Sequence, residues 1–427
     1  MSVAPSVSWP SKRLRFLTSR HGHDTSHVLL SDKTEVTFLP MEAIGEQGEL
    51  DLSRVRPIGE VRAGYTQIHD GDVVVAKITP CFENGKGALV RGLLGGIGFG
   101  TTELHVLTPG LGIDGRYLYY VTVDPRFRRL GESFMTGAAG QQRVPEDFVR
   151  DYSVPLPPLP QQRAIADYLD RETARIDALV AAKERVLALL AEKRRALTTR
   201  AVTRGLDSGV PLRDSGIPWL GEIPAHWTQC HLKRALAGVD YGISESVGTS
   251  GAIAVLRMGD IREGEIDYSS VGFVDAVDES LLLRPGDLVF NRTNSLDQIA
   301  KVALFRGNTD YPVSFASYLV RFRCGPRVIP EFLNWLLNSA FPLAWGRAQA
   351  LPAIGQANLN PNRYGYLPIA LPPVPEQHKV VEFIASSTSR LDAMRMATER
   401  TIQLLKERRS ALIAAAVTGQ IEVEAAT

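Results

Sequence analysis

The chain is written twice. The segment LPPLPQQRAIADYLDRETARIDAL, beginning at Leu156, lies 215 positions before LPPVPEQHKVVEFIASSTSRLDAM, beginning at Leu371. The register holds without a gap to Ala-Val-Thr at 201–203 and 416–418, and about 21 of the 48 aligned pairs are identical, too many for chance. The same offset reaches back through weaker matches. Gly71-Asp72-Val73-Val74 falls on Gly286-Asp287-Leu288-Val289, Lys86-Gly87-Ala88-Leu89 on Lys301-Val302-Ala303-Leu304, and Gly140-Gln141 on Gly355-Gln356. Over 71–155 only about 15 of 85 pairs agree, so that part keeps a framework and little else. Trp9 and Trp227 mark corresponding starts after a small change of offset. A period this long is too large for a solenoid and reads as a tandem duplication. The expected layout is a globular domain over 1–155, a helical segment over 156–205, a second globular domain over 206–370 and a second helical segment over 371–422.

The helical segments differ physically from the rest. Residues 160–203 and 375–418 hold no internal proline or glycine beyond the first position and are rich in Ala, Leu, Glu, Lys and Arg, all good helix formers. Prolines at their starts suit a first helical turn, and Gly205 and Gly419 stand where a C-cap is expected. A 4-3 spacing runs through Ile165, Leu169, Ile176, Leu179, Val186, Leu190 and Leu197, with polar interruptions at Glu172, Lys183 and Lys193. Its counterpart runs through Val380, Ile384, Leu391, Met394, Leu405 and Leu412. That is a coiled-coil seam on helices about 60 Å long at 1.5 Å per residue. The alternative is two ordinary helices, each packed on its own domain. Matched seams, with a globular domain between them that lets the chain return, predict an antiparallel pair and a pseudo-twofold repeat.

The globular parts carry short β-branched or aromatic runs bounded by Gly, Pro or Asp, at 72–78, 103–107, 287–291 and 317–322. Short helices are expected at 116–123 and 330–338. The fold class is therefore α+β, with two tandem strand-rich domains, each followed by a long helix.

Composition narrows the function. With 44% hydrophobic and 22% charged residues, the chain has the make-up of a folded soluble protein. No apolar run reaches the ~18 residues of a membrane span, and the start lacks the apolar core of a signal peptide. Cys81, Cys230 and Cys324 lie too far apart for a disulfide framework or zinc knuckle, and a reducing cytoplasm is the expected compartment. Net charge is +1; Lys+Arg against Asp+Glu is 17 to 18 over 1–155, 10 to 6 over 156–205, 14 to 16 over 206–370 and 7 to 7 over 371–427. A chain that binds nucleic acid unaided is usually more basic, so partners are expected to share the phosphate contacts.

Local basic and amide-rich stretches do occur. Arg126, Arg128 and Arg129 surround Phe127, Gln141-Gln142-Arg143 follows the repeated glycine, and Gln356, Asn358, Asn360 and Arg363 crowd one stretch of the second domain. Such side chains make bidentate contacts with adenine and guanine edges in the major groove. With Lys77, Lys86, Arg292, Asn294 and Lys301 they are the DNA-contact candidates. Arg clusters more often make solvated surface, and Asn/Pro runs more often make turns. Catalytic signatures are missing: Gly85-Lys86 lacks the rest of a phosphate-binding loop, and Gly98-Phe99-Gly100 is a lone G-x-G. Asn360-Pro361-Asn362-Arg363 lacks the second proline and aromatic of an amino-methyltransferase motif. His21, His23, Asp24 and His27 could hold a metal, but a solvated loop is the plainer reading, so no catalytic, cofactor or metal residue is assigned.

The second half opens Asp214-Ser215-Gly216-Ile217-Pro218-Trp219-Leu220-Gly221-Glu222-Ile223-Pro224, followed by His226-Trp227. Each helical segment begins Leu-Pro-Pro-Leu/Val-Pro-Gln/Glu-Gln, and the last ends Glu407-Arg408-Arg409-Ser410-Ala411-Leu412-Ile413 through Ala416-Val417-Thr418-Gly419. In these phrases, taken in order over essentially the whole chain, the protein resembles the specificity subunit of type I restriction–modification systems. The resemblance implies a non-catalytic subunit in which two target-recognition domains each read half of a split double-stranded DNA site. It implies that the paired helices act as a ruler, that two methyltransferase subunits dock on the chain, and that restriction subunits complete the nuclease. S-adenosylmethionine, ATP and Mg are then expected on those partners and none on this chain. Because the globular parts keep about 18% identity where the helices keep about 44%, the target is expected to be bipartite and asymmetric, with adenine methylated in each half. The competing readings are a self-contained methyltransferase or nuclease and a coiled-coil scaffold without a DNA role.

Overall fold

A strand that is apolar on both faces needs cover on both sides, and that requirement organises each half of the chain. The computed structural model describes residues 9–19, 30–138, 140–353 and 355–423. The His21–His27 stretch lies outside them. The chain divides into two units, one made of the residues up to Glu184 with those from Glu399 onward, the other of Arg185–Thr398.

In the first unit, Val73–Ala76 is wholly buried at the centre of an antiparallel sheet ordered Thr18–Ser19, Leu104–Pro109, Val73–Ala76, Gly87–Leu89. Its side chains alternate between two cores, as a pleated strand requires. Val73 and Val75 join Phe82, Phe127 and Phe148 and the helix Gly115–Val123, whereas Val74 and Ala76 join Leu39 and Ile68 of a second sheet. That sheet runs Val55–Pro57, Glu35–Leu39, Ile97–Gly100, Thr66–His69, with its middle pair parallel. Asp114 caps Gly115–Val123 by accepting from the Arg116 and Tyr117 N–H groups, and Asp124 caps the following helix, Pro125–Ser133.

The second unit repeats the plan. Leu288–Asn291 lies between Leu319–Cys324 and Val302–Leu304, with Leu236–Tyr241 outermost. The registers coincide under the 215-residue offset: Val74 faces Val106 and Ala88, and Val289 faces Arg321 and Ala303. A second sheet runs Gly272–Val274, Ile253–Leu256, Val313–Phe315, again with one parallel pair. Phe290, Phe322 and Tyr364 stack at 4.6 to 4.9 Å in its helix-side core. The repeated Gly-Asp pair is structural. Gly71 and Gly286 turn the chain with φ of +96° and +93°, and the buried Asp72 and Asp287 accept from the His69 and Arg284 N–H groups at 2.8 and 2.9 Å.

The central helix runs Leu159–Arg204 and the C-terminal helix Val374–Val417, about 70 and 65 Å at 1.5 Å per residue. They pack together antiparallel. In the first unit, Gln161 Nε2 donates to Val423 O at 2.5 Å and Arg409 Nε to Asp177 at 2.9 Å, so numbers rise along one helix as they fall along the other. In the second, Ala201 and Val202 share a core with Val380 and Ile384. Among the described residues, no helix is long and apolar enough to cross a membrane. Each helix begins on a fully buried glutamine from the repeated phrase. Gln162 accepts from the Asp114 N–H and donates to the Gly112 and Pro157 carbonyls, and Gln377 accepts from the Ile329 N–H and donates to those of Arg327 and Pro372.

The seam departs from the expected 4-3 spacing. Ile165, Leu169, Ile176, Leu190, Val380, Ile384 and Leu391 are buried, and Leu197, Leu405 and Leu412 are half-buried. Leu179, Val186 and Met394, expected in the seam, are 46%, 37% and 49% exposed, and Val180 and Leu187 replace the first two. The cause is Thr173, which takes the place expected for Glu172. Its buried hydroxyl donates to the Leu169 carbonyl at 2.7 Å, so a polar residue sits in the seam at little cost. The resulting 4-4 step moves one of the two seam columns by one residue, from 172, 179 and 186 to 173, 180 and 187, while Ile176 and Leu190 keep their places. Thr388, the repeat counterpart, bonds back to Ile384 at 2.8 Å and does the same in the second helix.

Candidate nucleic-acid interface

Main-chain hydrogen bonds build the same small platform in each unit. In the first, the Lys77 N–H donates to Glu103 O at 3.0 Å, and Lys77 O accepts from Val144 N at 2.8 Å. In the second, Arg292 N donates to Tyr318 O at 3.2 Å, and Arg292 O accepts from Leu359 N at 2.8 Å. The three residues of each platform match under the 215-residue offset, as do Arg143 and Asn358 beside them. The frame is shared because backbone donors and acceptors do not depend on the side chain.

What hangs on the frame is different. On the first platform the Arg143 guanidinium lies on Glu103 with both oxygens engaged, at 2.9 and 2.8 Å, and these hydrogen bonds hold the Glu103 carboxyl below its ordinary range. Arg143 is fixed further by bridges to Ile78 and Thr136. Gln141 is exposed and Gln142 half-buried, the latter accepting at its carbonyl from the Thr79 N–H. A cleft of about 730 Å³ adjoins, lined by Lys77 and Arg143 with Arg15, His105 and Arg150. Burial pushes the His105 imidazole below its usual range.

On the second platform Arg292 donates to Asn358 Oδ1 at 3.0 Å and to Ser317 O at 3.3 Å, with its guanidinium 5.2 Å from the Tyr241 ring. Asn358 Nδ2 donates to Thr293 Oγ1 at 3.1 Å across the strands Thr293–Asn294 and Gln356–Asn358. Gln356 is exposed, and Asn294 Nδ2 reaches Met258 O at 3.3 Å. Tyr241 and Tyr318 are nearly half exposed. An arginine, two amides and two aromatic faces can read base edges and stack on them.

The other candidates lie elsewhere. Arg128 is a core residue: its guanidinium donates to the Phe82 and Gly85 carbonyls at 3.0 and 3.2 Å and packs on the Phe82 ring, and burial lowers its pKa to about 10. The sequence reading missed this because its neighbours Arg126 and Arg129 face solvent. Arg126 is tied to the Asp124 cap, and Arg129 folds back on Pro125 O. Lys86 Nζ donates to Met41 O, and Lys301 Nζ to Gln298. Asn360 caps the short helix Pro361–Tyr364, on which Arg363 is exposed. Glu103, Tyr241 and Tyr318 went unnoticed, although Glu103 facing Tyr318 under the offset marks a variable position on a fixed frame.

A second surface lies on the long helices, two residues and so about 200° away from the seam. Arg175, Ala178, Ala182, Arg185, Leu189, Glu192 and Ala196 are exposed and follow one 3-4 spacing. Their counterparts Arg390, Ala393, Ala397, Arg400, Leu404, Glu407 and Ala411 are exposed and identical at every position. The outward face is thus repeated more faithfully than the seam itself.

No protein-family model matches the chain. The curated relatives are type I restriction enzyme specificity subunits. It is 44% identical over 137 residues to the EcoEI specificity subunit and 45% identical over 139 residues to the EcoAI specificity subunit, both of Escherichia coli. Each match covers 31% of this chain and 23% of the relative, so the chain spans less than a quarter of those two proteins. To the EcoKI specificity subunit of Escherichia coli it is 23% identical over 326 residues, 75% of this chain and 68% of that one. Among solved structures, a chain from work on complex assembly and conformational transition of the type I R-M system superposes with a TM-score of 0.73 at 18% identity, covering 99% of this chain and all of that one. The HsdS subunit from Thermoanaerobacter tengcongensis gives 0.55 at 16% identity, covering 97% of each. These structural likenesses establish a shared fold.

Proposed function

We propose that this chain is the DNA-recognition subunit of a type I restriction–modification complex, reading a bipartite, asymmetric double-stranded target with one platform per half-site. The observation that carries the reading is the pair of platforms, in which an identical main-chain frame presents Lys77, Glu103 and Arg143 in one unit and Arg292, Tyr318 and Asn358 in the other. A frame that is kept while its side chains change suits two readings of different sequence. The near-neutral charge of both strand-rich domains fits a subunit whose partners supply part of the phosphate contact. On this reading the chemistry belongs to methyltransferase and restriction subunits, with S-adenosylmethionine, ATP and Mg bound there, and this chain is non-catalytic. Methylome sequencing of cells expressing the complete system tests it: two separated half-sites of different sequence, each with a methylated adenine, are expected. A continuous or palindromic target would overturn the reading.

The platforms separate by mutation. Arg143→Ala is expected to cost about 1–3 kcal/mol of target affinity and to relax base preference in one half-site only. Arg292→Ala is expected to do the same in the other half. Binding assays of the assembled complex against a panel of single-base target variants decide this; loss spread evenly over both half-sites would mean that these residues position the duplex without reading it.

The outward helix stripes are the proposed docking faces for two copies of the methyltransferase subunit. Identity at seven exposed positions fits two copies of one partner, and the alanines let a partner helix approach closely. Leu189→Asp is expected to lower the number of bound methyltransferase subunits from two to one, and Leu189→Asp with Leu404→Asp to none, as read by mass photometry of the co-expressed complex.

A further inference from the structure

A cleft of about 1360 Å³ opens in the second unit beside the strand pair Thr228–His231 and Pro368–Leu371. Among the described residues, Arg213, His231, Arg234 and Arg327 line it and no acidic side chain does. Elsewhere in this unit guanidiniums meet carboxylates, as Arg306 meets Glu265, Arg321 meets Asp240 and Arg323 meets Asp287. Arg234 and Arg327 are exposed and form no ion pair among the described residues. Arg213 is anchored through the Ala225 and Trp227 carbonyls, at 3.3 and 3.0 Å. The rest of the lining is largely apolar, with Trp227, Leu371, Val374 and prolines.

The repeat lacks two of these arginines. Under the 215-residue offset Arg327 falls on Gly112. At the domain start, where Leu14 and Leu232 are the buried first residues of equivalent 3-10 turns, Arg234 falls on Phe16. Among the described residues, the first-unit cleft beside Lys77 and Arg143 is also basic, but Glu146 shares its lining, whereas the second-unit cleft carries its arginines without a carboxylate.

We propose that this cleft is the docking site for a single acidic segment of a partner protein, carrying carboxylates on an apolar run, one segment per chain. Guanidinium forks match carboxylates in pairs. The apolar share of the lining favours a peptide over a duplex backbone, whose binding surfaces are more polar and more strongly charged. The inference is independent of how the platforms read DNA.

The test uses the full chain and a short fluorescein-labelled peptide of alternating Glu and Leu, followed by anisotropy. The Glu/Leu peptide is expected to bind, and its Gln/Leu analogue to bind at least about tenfold more weakly, a difference of about 1.4 kcal/mol. Arg234→Glu with Arg327→Glu is expected to weaken binding by at least the same factor, and Arg234→Gln with Arg327→Gln by less. The charge-matched pair Lys12→Glu with Arg91→Glu, on exposed residues of the first unit, should leave it unchanged. Equal binding of the two peptides, or undiminished binding by the Arg234→Glu, Arg327→Glu chain, would overturn the proposal. So would a loss of affinity for random-sequence duplex with the peptide unaffected, which would make the occupant nucleic acid.

Discussion

Four residues inserted after Ala182, together with four after its repeat counterpart Ala397, are expected to lengthen the unspecified gap in the DNA target and to leave both half-site sequences unchanged. Four residues add about 6 Å of helix, which on B-DNA at about 3.4 Å per base pair corresponds to about one or two base pairs. The insertion is close to one turn of 3.6 residues, so the seam and the outward stripe both stay nearly in phase. Lengthening both helices keeps their antiparallel contacts matched, including Asp177 with Arg409. Methylome sequencing reads the result. Altered bases with an unchanged gap would show that the helices do not set the spacing.

The second large effect is on stability. Gln162→Leu and Gln377→Leu are each expected to destabilise the fold by about 2–5 kcal/mol, because each strands one N–H and the buried Pro157 or Pro372 carbonyl, at about 1–3 kcal/mol per unsatisfied group, and removes a bond to the more exposed Gly112 or Arg327 carbonyl. Leucine has a similar volume, so packing alone predicts a cost below about 1.5 kcal/mol. Urea denaturation distinguishes the two. Gln377→Glu should also be costly, since a carboxylate can accept from the Ile329 N–H but has nothing to donate to Arg327 or Pro372.

Those glutamines also show what could be read from the sequence alone. The phrase that holds them was visible as a repeat, and so were the long helices, their antiparallel pairing and the α+β character of the domains, because apolar periodicity and the 215-residue offset are properties of the string. The role of the glutamine was not visible, since it depends on carbonyls that arrive from the loops before Asp114 and Ile329. Thr173 and Thr388 misled for a related reason. A hydroxyl that can bond back to its own helix counts as polar in a pattern and behaves as apolar in a seam, so the reading ran one seam column a residue out of step and placed Leu179 and Val186 inside. Arg128 was the opposite error. A cation in an Arg-rich run suggests surface, yet the Phe82–Gly85 turn closes over it and supplies carbonyls. Lys77, Arg143, Arg292 and Asn358 were among the residues singled out, but their grouping into two matching platforms needed the backbone bonds from Glu103, Val144, Tyr318 and Leu359.

The main-chain origin of those platforms has a consequence for how such a protein changes over time. Because the rungs at Lys77 and Arg292 are tied by amide and carbonyl groups that every residue other than proline possesses, replacing the side chains there leaves the ties in place. On the proposed function, address and scaffold are then inherited separately: drift at Glu103, Arg143, Tyr318 or Asn358 would move one half of the address to a new word with the main-chain frame intact, while the other half keeps its meaning.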